Sequence, residues 1–216
     1  MRKPSSSWST RVVLAALSAA SYHSTAWADG PVSALCADPE QTKVIQERFK
    51  TPNRNLVDSL RQELRISESA ILSGLPQERA VGVSGSQFQA VWVQLHTWPD
   101  AVVAIRSGGH VLEVHGPIHA GEPSKVSKYF NLAPEGHGLS GHLRPDLVSA
   151  IYAVKLPGRN GDDHGVIFYD SAGEAAFGVY VPSEYVRPDA AGMQRFQDTW
   201  SRMQSMPAAC PGQRLD

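Results

Sequence analysis

Histidine is the residue type that most suggests chemistry in this sequence, because five histidines lie in one central stretch of the chain. They are His110, His115, His119, His137 and His142. Imidazole is the commonest side-chain ligand for transition metals, iron among them. The spacings between these histidines do not reproduce a zinc or copper signature. A divalent-metal binder is therefore only an alternative hypothesis. Arg106 and Arg144 flank the stretch, and a guanidinium group pairs with a carboxylate through two parallel hydrogen bonds.

The elements that must position these side chains change from helical to strand-like near residue 100. Asp38 followed by Pro39 predicts the start of a first helix, and leucines at every fourth position over 56–64 predict a second. Ser67 and Ser86 predict the starts of two more. The short helices before residue 76 resemble a helix-turn-helix, but they lack the basic face that groove binding requires.

Short apolar or alternating runs predict strands in the second half of the chain. These strands are expected over 102–105, 110–115, 150–155, 166–169 and 175–181. The segments 107–109 and 170–173 have turn chemistry and predict two hairpins. Within the second strand, His110, Leu112 and Val114 share one face.

A closing helix is predicted after Asp189. Its residues Met193, Phe196, Trp200 and Met203 are three or four positions apart and predict a core-facing stripe rather than a cofactor box. Helices at both ends with hairpin-linked strands between them indicate an α+β domain with a largely antiparallel sheet and flanking helices. Because an open sheet has unpaired edges, we expect a homodimer.

The first residues have the pattern of a secretory signal peptide. Arg2, Lys3 and Arg11 precede an apolar run over 12–20, and Ala26 and Ala28 then supply small residues at a cleavage site. The run is far shorter than the roughly 20 residues of a membrane-spanning helix, so no permanent membrane anchor is expected. The sequence therefore predicts residues 1–28 as a signal peptide and a periplasmic or secreted protein.

The two cysteines, Cys36 and Cys210, lie near the two ends of the remaining chain. In an oxidising compartment this arrangement predicts one disulfide that ties the termini together. Two free thiols or a redox pair are the alternatives, although neither cysteine belongs to a C-x-x-C motif.

Charge and length limit the partners and the domain organisation. The formal net charge is -1 at pH 7, and loss of the N-terminal cations would make the chain more acidic. This balance argues against nucleic acid as a partner, because phosphate binding needs a basic surface. After the signal peptide we expect a helical segment over 29–85, an α+β domain over 86–210 and a tail over 211–216.

Five motifs follow one another in an order and approximate spacing that resemble a known family. They are Phe88-x-x-Val91-Trp92, the segment 111–117, Tyr129-Phe130-Asn131-Leu132, the segment 138–144 and Phe168-Tyr169-Asp170-x-x-Gly173. In these residues the chain is similar to the ChuX/HutX family of haem-utilisation carriers. The resemblance implies a fold that dimerises through its sheet, holds haem or a similar tetrapyrrole in a cleft and passes it on. It does not identify the haem donor or acceptor.

The resemblance also implies candidates for the iron ligand. His142 is the histidine of the family's Gly-x-Ser-Gly-His motif and is the predicted axial ligand, with hydrogen bonding at a turn as its structural alternative. His137 lies five residues earlier and is a second candidate. His110 is a further one, and a surface histidine on a strand is the alternative there.

Other haem contacts are expected from aromatic and basic side chains. Tyr129 can stack on the ring or donate a hydrogen bond. Arg144 and Arg106 can pair with the two propionates, with Lys125 and Lys128 as exposed alternatives.

The chain departs from the family at two positions that bear on iron binding. Arg106 stands where the family can place a strand histidine, and Ser127 and Lys128 stand where a histidine usually precedes the tyrosine. A haem-degrading or demetallating enzyme is the alternative of another class. The sequence has no flavin or nicotinamide fingerprint and no legible nucleophile–base arrangement, so we expect a binding protein rather than an enzyme.

Overall fold

An antiparallel sheet is the centre of the fold in the computed structural model, which describes residues 35–107, 109–132, 139–159, 161–182 and 190–211. In chain order the strands are β1 (Ala80–Ser84), β2 (Ala101–Ser107), β3 (His110–Gly116), β4 (Gly121–Pro123), β5 (Phe130–Leu132), β6 (Gly141–Leu143), β7 (Ala150–Pro157), β8 (Asp162–Tyr169) and β9 (Ala175–Tyr180). Six of them form the main sheet in the order β1-β7-β8-β9-β2-β3, with every neighbouring pair antiparallel. The strands β4, β5 and β6 form a separate small sheet.

Five α-helices flank the sheets, and local sequence explains where the first of them begin. They are α1 (Pro39–Arg48), α2 (Leu56–Leu64), α3 (Glu68–Ser73), α4 (Phe88–Leu95) and α5 (Ala190–Gln204). Asp38 caps α1 and forms a reciprocal capping box with Gln41. The Ser67 hydroxyl caps α3 by accepting from the Ala70 amide. The predicted starts of these two helices are confirmed.

Alternation along the strands sends side chains to two apolar cores, one on each face of the main sheet. On β7, Ile151 and Ala153 join a core with α4 and α5, whereas Tyr152 and Val154 join a core with α1, α2 and α3. All four side chains are buried, which is why this strand appears in the sequence as a continuous apolar run. The predicted α+β class, with a largely antiparallel sheet and flanking helices, is confirmed.

The stripe on α5 belongs to the first of these cores. Phe196 and Met203 are fully buried, Trp200 is almost so, and Met193 packs against them. The prediction that this stripe is core is therefore confirmed. The predicted cap Asp189 lies outside the described residues.

Several local features differ from the prediction. The sequence patterns do not predict β1, nor the three strands of the small sheet, which are only three residues long each. Ser86 does not cap α4, because it lies inside a short 3-10 turn over 85–87. The cap of that turn is Ser84, whose hydroxyl accepts from the Ser86 amide.

A disulfide links the two ends of the described chain. Cys36 and Cys210 are bonded, with their Cα atoms 5.9 Å apart, so the predicted pairing is confirmed. The bond joins the segment before α1 to the segment after α5. Within the described ranges, no helix combines the length and apolar character needed to cross a bilayer. The segment predicted as a signal peptide, residues 1–28, lies outside these ranges.

Candidate ligand-binding cleft

A cavity of about 470 Å³ lies on the face of the main sheet that α2 and α3 cover. We call it the sheet cleft. Ligand pockets in proteins typically measure roughly 300–1,000 Å³. Aliphatic side chains from four strands of the main sheet supply the apolar part of its lining, namely Val102, Ala104, Val111, Val154, Leu156 and Ile167. The sheet cleft can therefore accept a flat apolar ligand.

Strand alternation decides which of the predicted residues reach the sheet cleft. Val102, Ala104 and Arg106 are two residues apart on β2, and all three line the cavity. Glu113 and His115 on β3 lie opposite Ala104 and Val102 and line it too. His110 has the opposite parity on β3 and does not line the cavity. The predicted turn over 107–109 would pair Arg106 with His110, whereas the observed register pairs Arg106 with Val111 and so puts His115 on the Arg106 face.

Charged side chains line the sheet cleft around its apolar part. The cations are Arg54 and Arg106, and His115 adds an imidazole. Five carboxylates accompany them, from Asp58, Glu68, Asp100, Glu113 and Asp163. The lining therefore carries more acidic than basic side chains.

Arg106 is held by a buried carboxylate. Its Nη1 donates to Oε2 of Glu68 over 2.8 Å, and Glu68 is only 4% exposed. The other carboxylate oxygen of Glu68 accepts from the Tyr169 hydroxyl over 2.9 Å. Burial lowers the pKa of the Arg106 guanidinium, but Glu68, Tyr180 and Tyr169 together outweigh burial, and the pKa lies above its ordinary value. Arg106 is therefore a fixed, permanently charged group in the lining of the cleft.

Tyr180 adds a neutral phenol beside this pair. Burial, opposed by the charge of Arg106, raises the pKa of its hydroxyl to about 12. The hydroxyl therefore stays protonated and can donate or accept a hydrogen bond. Sequence reasoning missed Tyr180 and Glu68, because neither carries a local motif and both meet Arg106 only in the folded chain.

Three other predicted residues come together on the small sheet. Tyr129 and His142 have ring centroids 5.8 Å apart, and the Arg144 guanidinium lies 5.6 Å from the Tyr129 ring centroid. We call these residues, with Asn131 and Asp146, the small-sheet cluster. Tyr129, His142 and Asp146 are exposed, and none of the five residues lines the sheet cleft.

His142 is oriented by a hydrogen bond. Its Nδ1 lies 2.8 Å from Oδ1 of Asn131, its register partner on β5. An amide oxygen only accepts, so Nδ1 carries the proton and Nε2 keeps its lone pair for a ligand. His142 thus has the tautomer that an iron ligand requires.

Arg144 is paired with the carboxylate of Asp146. It donates from Nε and Nη2 to the two oxygens of Asp146, over 2.7 and 2.8 Å. The hydrogen bonds from Arg144 lower the pKa of Asp146 to about 2. Two of the donors that a propionate would use are therefore already occupied.

The main sheet separates the two groups of predicted residues. Phe130, Leu132 and Leu143 of the small sheet pack into the core on the α4 and α5 face, whereas Arg106 lies on the opposite face. Arg106 and the small-sheet cluster are therefore two separate candidate sites. His137 lies outside the described residues. Among the described residues, no group of three or more His, Cys, Asp or Glu side chains is arranged to hold a metal ion.

Comparisons with known proteins identify relatives. A family model described as haem utilisation ChuX/HutX matches residues 81–198. The intracellular haem transport protein HutX of Vibrio cholerae is 28% identical over 123 residues, which cover 57% of this chain and 63% of that protein. The match therefore spans less than two thirds of the length of this relative.

Solved structures share the fold. The structure of the haem-binding protein ChuX has a TM-score of 0.65 and 16% identity, covering 76% of this chain and 99% of ChuX. The haem-degrading enzyme ChuS of Escherichia coli O157:H7 has a TM-score of 0.59 and 14% identity, covering 76% of this chain and 49% of ChuS. At these identities the structures establish the fold alone.

The relative from Vibrio corrects one prediction. That protein is named as intracellular, which contradicts the predicted periplasmic or secreted location. The location was inferred from residues 1–28 alone, where cations, a short apolar run and small residues match a signal-peptide pattern that constrains composition more than sequence.

Proposed function

We propose that this chain, which belongs to the ChuX/HutX haem-utilisation family, binds haem as cargo and passes it on unchanged. The observation that carries the proposal is the sheet cleft, where a fixed arginine lies beside an apolar floor. The names of HutX as a haem transport protein and of ChuX as a haem-binding protein support the same function.

The lining of the sheet cleft suits the parts of a haem ring. The aliphatic side chains can contact a porphyrin face, Arg106 can pair with a propionate, and His115 offers an imidazole to the iron. The side chain of His115 is 58% exposed, so its ring can rotate toward a bound iron without breaking a core contact. The five carboxylates of the lining repel the negative charge of a propionate, so a propionate would have to lie against Arg106 rather than elsewhere in the cleft.

His142 with Tyr129 and Arg144 is the competing placement, as the motif predicts. The exposed Nε2 of His142 could ligate iron, but the small-sheet cluster contributes no side chain to the sheet cleft. We therefore propose the sheet cleft as the main site. That His142 ligates iron stays a prediction, which the variants His115→Ala and His142→Ala test.

Filling the sheet cleft tests the site. Ala104→Phe places a ring where the apolar floor now lies, whereas Ala90→Phe, on the exposed side of α4, is the matched control. Titration with haemin, followed by the Soret band, is expected to show at least a tenfold loss of affinity for Ala104→Phe alone. Equal affinities in both variants would exclude the cleft.

Replacing the two histidines tests the iron ligand. His115→Ala is expected to shift the Soret band and weaken haemin binding, while His142→Ala keeps the wild-type spectrum. The reverse result would move the iron to the small-sheet cluster. Incubation with a reductant separates a carrier from a degrading enzyme, because a carrier keeps its Soret intensity and an enzyme loses it while a bilin or free porphyrin forms.

A homodimer through the main sheet is also part of the proposal. The outermost strand β3 exposes Val111 and Leu112, which are 57% and 63% accessible. Exposed apolar residues on an edge strand favour pairing with a second strand. Leu112→Lys is expected to halve the molar mass measured by light scattering, whereas Val93→Lys, at a 62% exposed position on α4, leaves it unchanged. A monomeric wild-type protein would contradict the dimer.

A further inference from the structure

The carboxylate that holds Arg106 comes from outside the residues that match the family. Glu68 is the first residue of α3, whereas the family match begins at residue 81. Its carboxylate is buried between the Tyr169 hydroxyl at 2.9 Å and the Arg106 Nη1 at 2.8 Å. Arg61 on α2 approaches the same oxygen that Arg106 contacts, with its Nη1 at 3.8 Å. Glu68 is therefore fixed from three sides.

The contacts with Glu68 and Tyr180 engage only part of the Arg106 guanidinium. A guanidinium group has five N–H donors in a rigid fork, and the Glu68 contact engages only Nη1. The Arg106 side chain is 43% exposed and lines the sheet cleft, although its partner carboxylate is only 5% exposed. One part of the fork thus meets the protein interior and another part meets the cavity.

We propose that Glu68 is a positioning residue that holds the Arg106 fork ready to receive a carboxylate tail of the bound ring. The inference rests on the proposed function and extends it, because it makes the N-terminal helices part of ligand recognition. An arginine that is already held in place loses less conformational freedom when the carboxylate tail binds. Less of the favourable free energy of the ion pair is then offset by ordering the side chain.

A competing role for Glu68 predicts the opposite change in haem affinity. If Glu68 acted as an internal carboxylate that competes with the ligand for Arg106, then Glu68→Gln would strengthen haem binding. If Glu68 positions Arg106, the same variant weakens binding. Tyr169→Phe separates the two roles further, because it releases one oxygen of Glu68 without changing any charge.

The experiment compares haemin with haemin whose two propionates are methyl esters, titrated in the same cosolvent. For the wild-type protein we expect haemin to bind about tenfold more tightly than the diester, since only haemin can form the charge-assisted pair with Arg106. Arg106→Lys is expected to abolish this preference. Glu68→Gln and Tyr169→Phe are expected to reduce it at least threefold while the affinity for the diester stays the same. Arg195→Lys, which alters an exposed arginine–carboxylate pair on α5, is the matched control.

The ratio of the two affinities distinguishes positioning from a merely structural effect. A variant that only loosens the fold weakens both ligands equally and leaves the preference intact, and that result would overturn the inference. Tighter haemin binding by Glu68→Gln would overturn it as well. A wild-type protein that binds both ligands equally would reject the carboxylate subsite while the haem carrier survives, whereas binding of neither ligand would reject the proposed function itself.

Discussion

The sheet cleft and the small-sheet cluster each contain an arginine paired with a carboxylate, yet the two pairs have different surroundings. Glu68 is buried and reaches Arg106 from another element, 38 residues away in sequence. Asp146 is exposed and pairs with Arg144 two residues away. A buried carboxylate loses its water and depends on its partners, whereas an exposed one exchanges them for water at little cost. An arginine–carboxylate pair therefore stabilises the fold at the sheet cleft, whereas in the small-sheet cluster it makes only a local surface contact.

The largest expected difference between the two regions is in stability. Glu68→Ala leaves the buried Tyr169 hydroxyl without its acceptor and the 43% exposed Arg106 without its partner, and is expected to lower the free energy of unfolding by about 3 kcal/mol. Asp146→Ala, the matched variant at the small-sheet cluster, is expected to shift the urea midpoint much less, because its ion pair is exposed to water. Chemical denaturation followed by circular dichroism measures both, and equal midpoints for the two variants would contradict the comparison.

A smaller effect on stability is expected when a tyrosine of either region is replaced by phenylalanine. Tyr169→Phe removes a hydrogen bond to a buried carboxylate and is expected to cost about 1.5–3 kcal/mol of unfolding free energy. Tyr129→Phe removes a hydroxyl from an exposed ring and serves as the control. The comparison would fail if Tyr129→Phe proved the more destabilising of the two.

The smallest expected effect is a change in the pKa of one carboxylate, that of Asp146. Arg144 holds the pKa of Asp146 at about 2, below the ordinary value of 3.8. Because the pKa is lower in the folded chain, this pair stabilises the fold above about pH 4 and stops doing so as the pH falls from about 4 to 2. Arg144→Gln is expected to return the pKa of Asp146 toward 3.8, as measured by carboxyl NMR. A pKa that stays near 2 would show that another group lowers it.

Much of the fold could be predicted because its signals are local. The cap at Asp38, the turn over 170–173 and the apolar stripe on α5 each depend on residues close together in sequence, and each appears in the structure as expected. The short strands β4, β5 and β6 could not be predicted, because three residues do not display a period. Their pairing depends on Phe130 packing among distant aromatic residues.

The candidate site was predicted only in part. The motifs identified Tyr129, His142 and Arg144, which do lie together, and they also identified Arg106, which lies on the other side of the main sheet. Nearness in sequence grouped residues that the sheet separates. A one-residue difference from the predicted turn over 107–109 reverses which side of β3 faces the cleft, so the choice of His115 over His110 depended on the strand register of the folded chain.

The sequence by itself determined the helices, the hairpins, the antiparallel class, the disulfide partners and the family, since each depends on residue type, short-range spacing or ordered motifs. Only the tertiary structure decided that Glu68 meets Arg106 and that Arg106 and His142 face opposite sides of the main sheet. The physical reason is that a cleft forms where separate elements pack. The direction of each strand's alternation relative to that packing is fixed by long-range contacts, which no local pattern specifies.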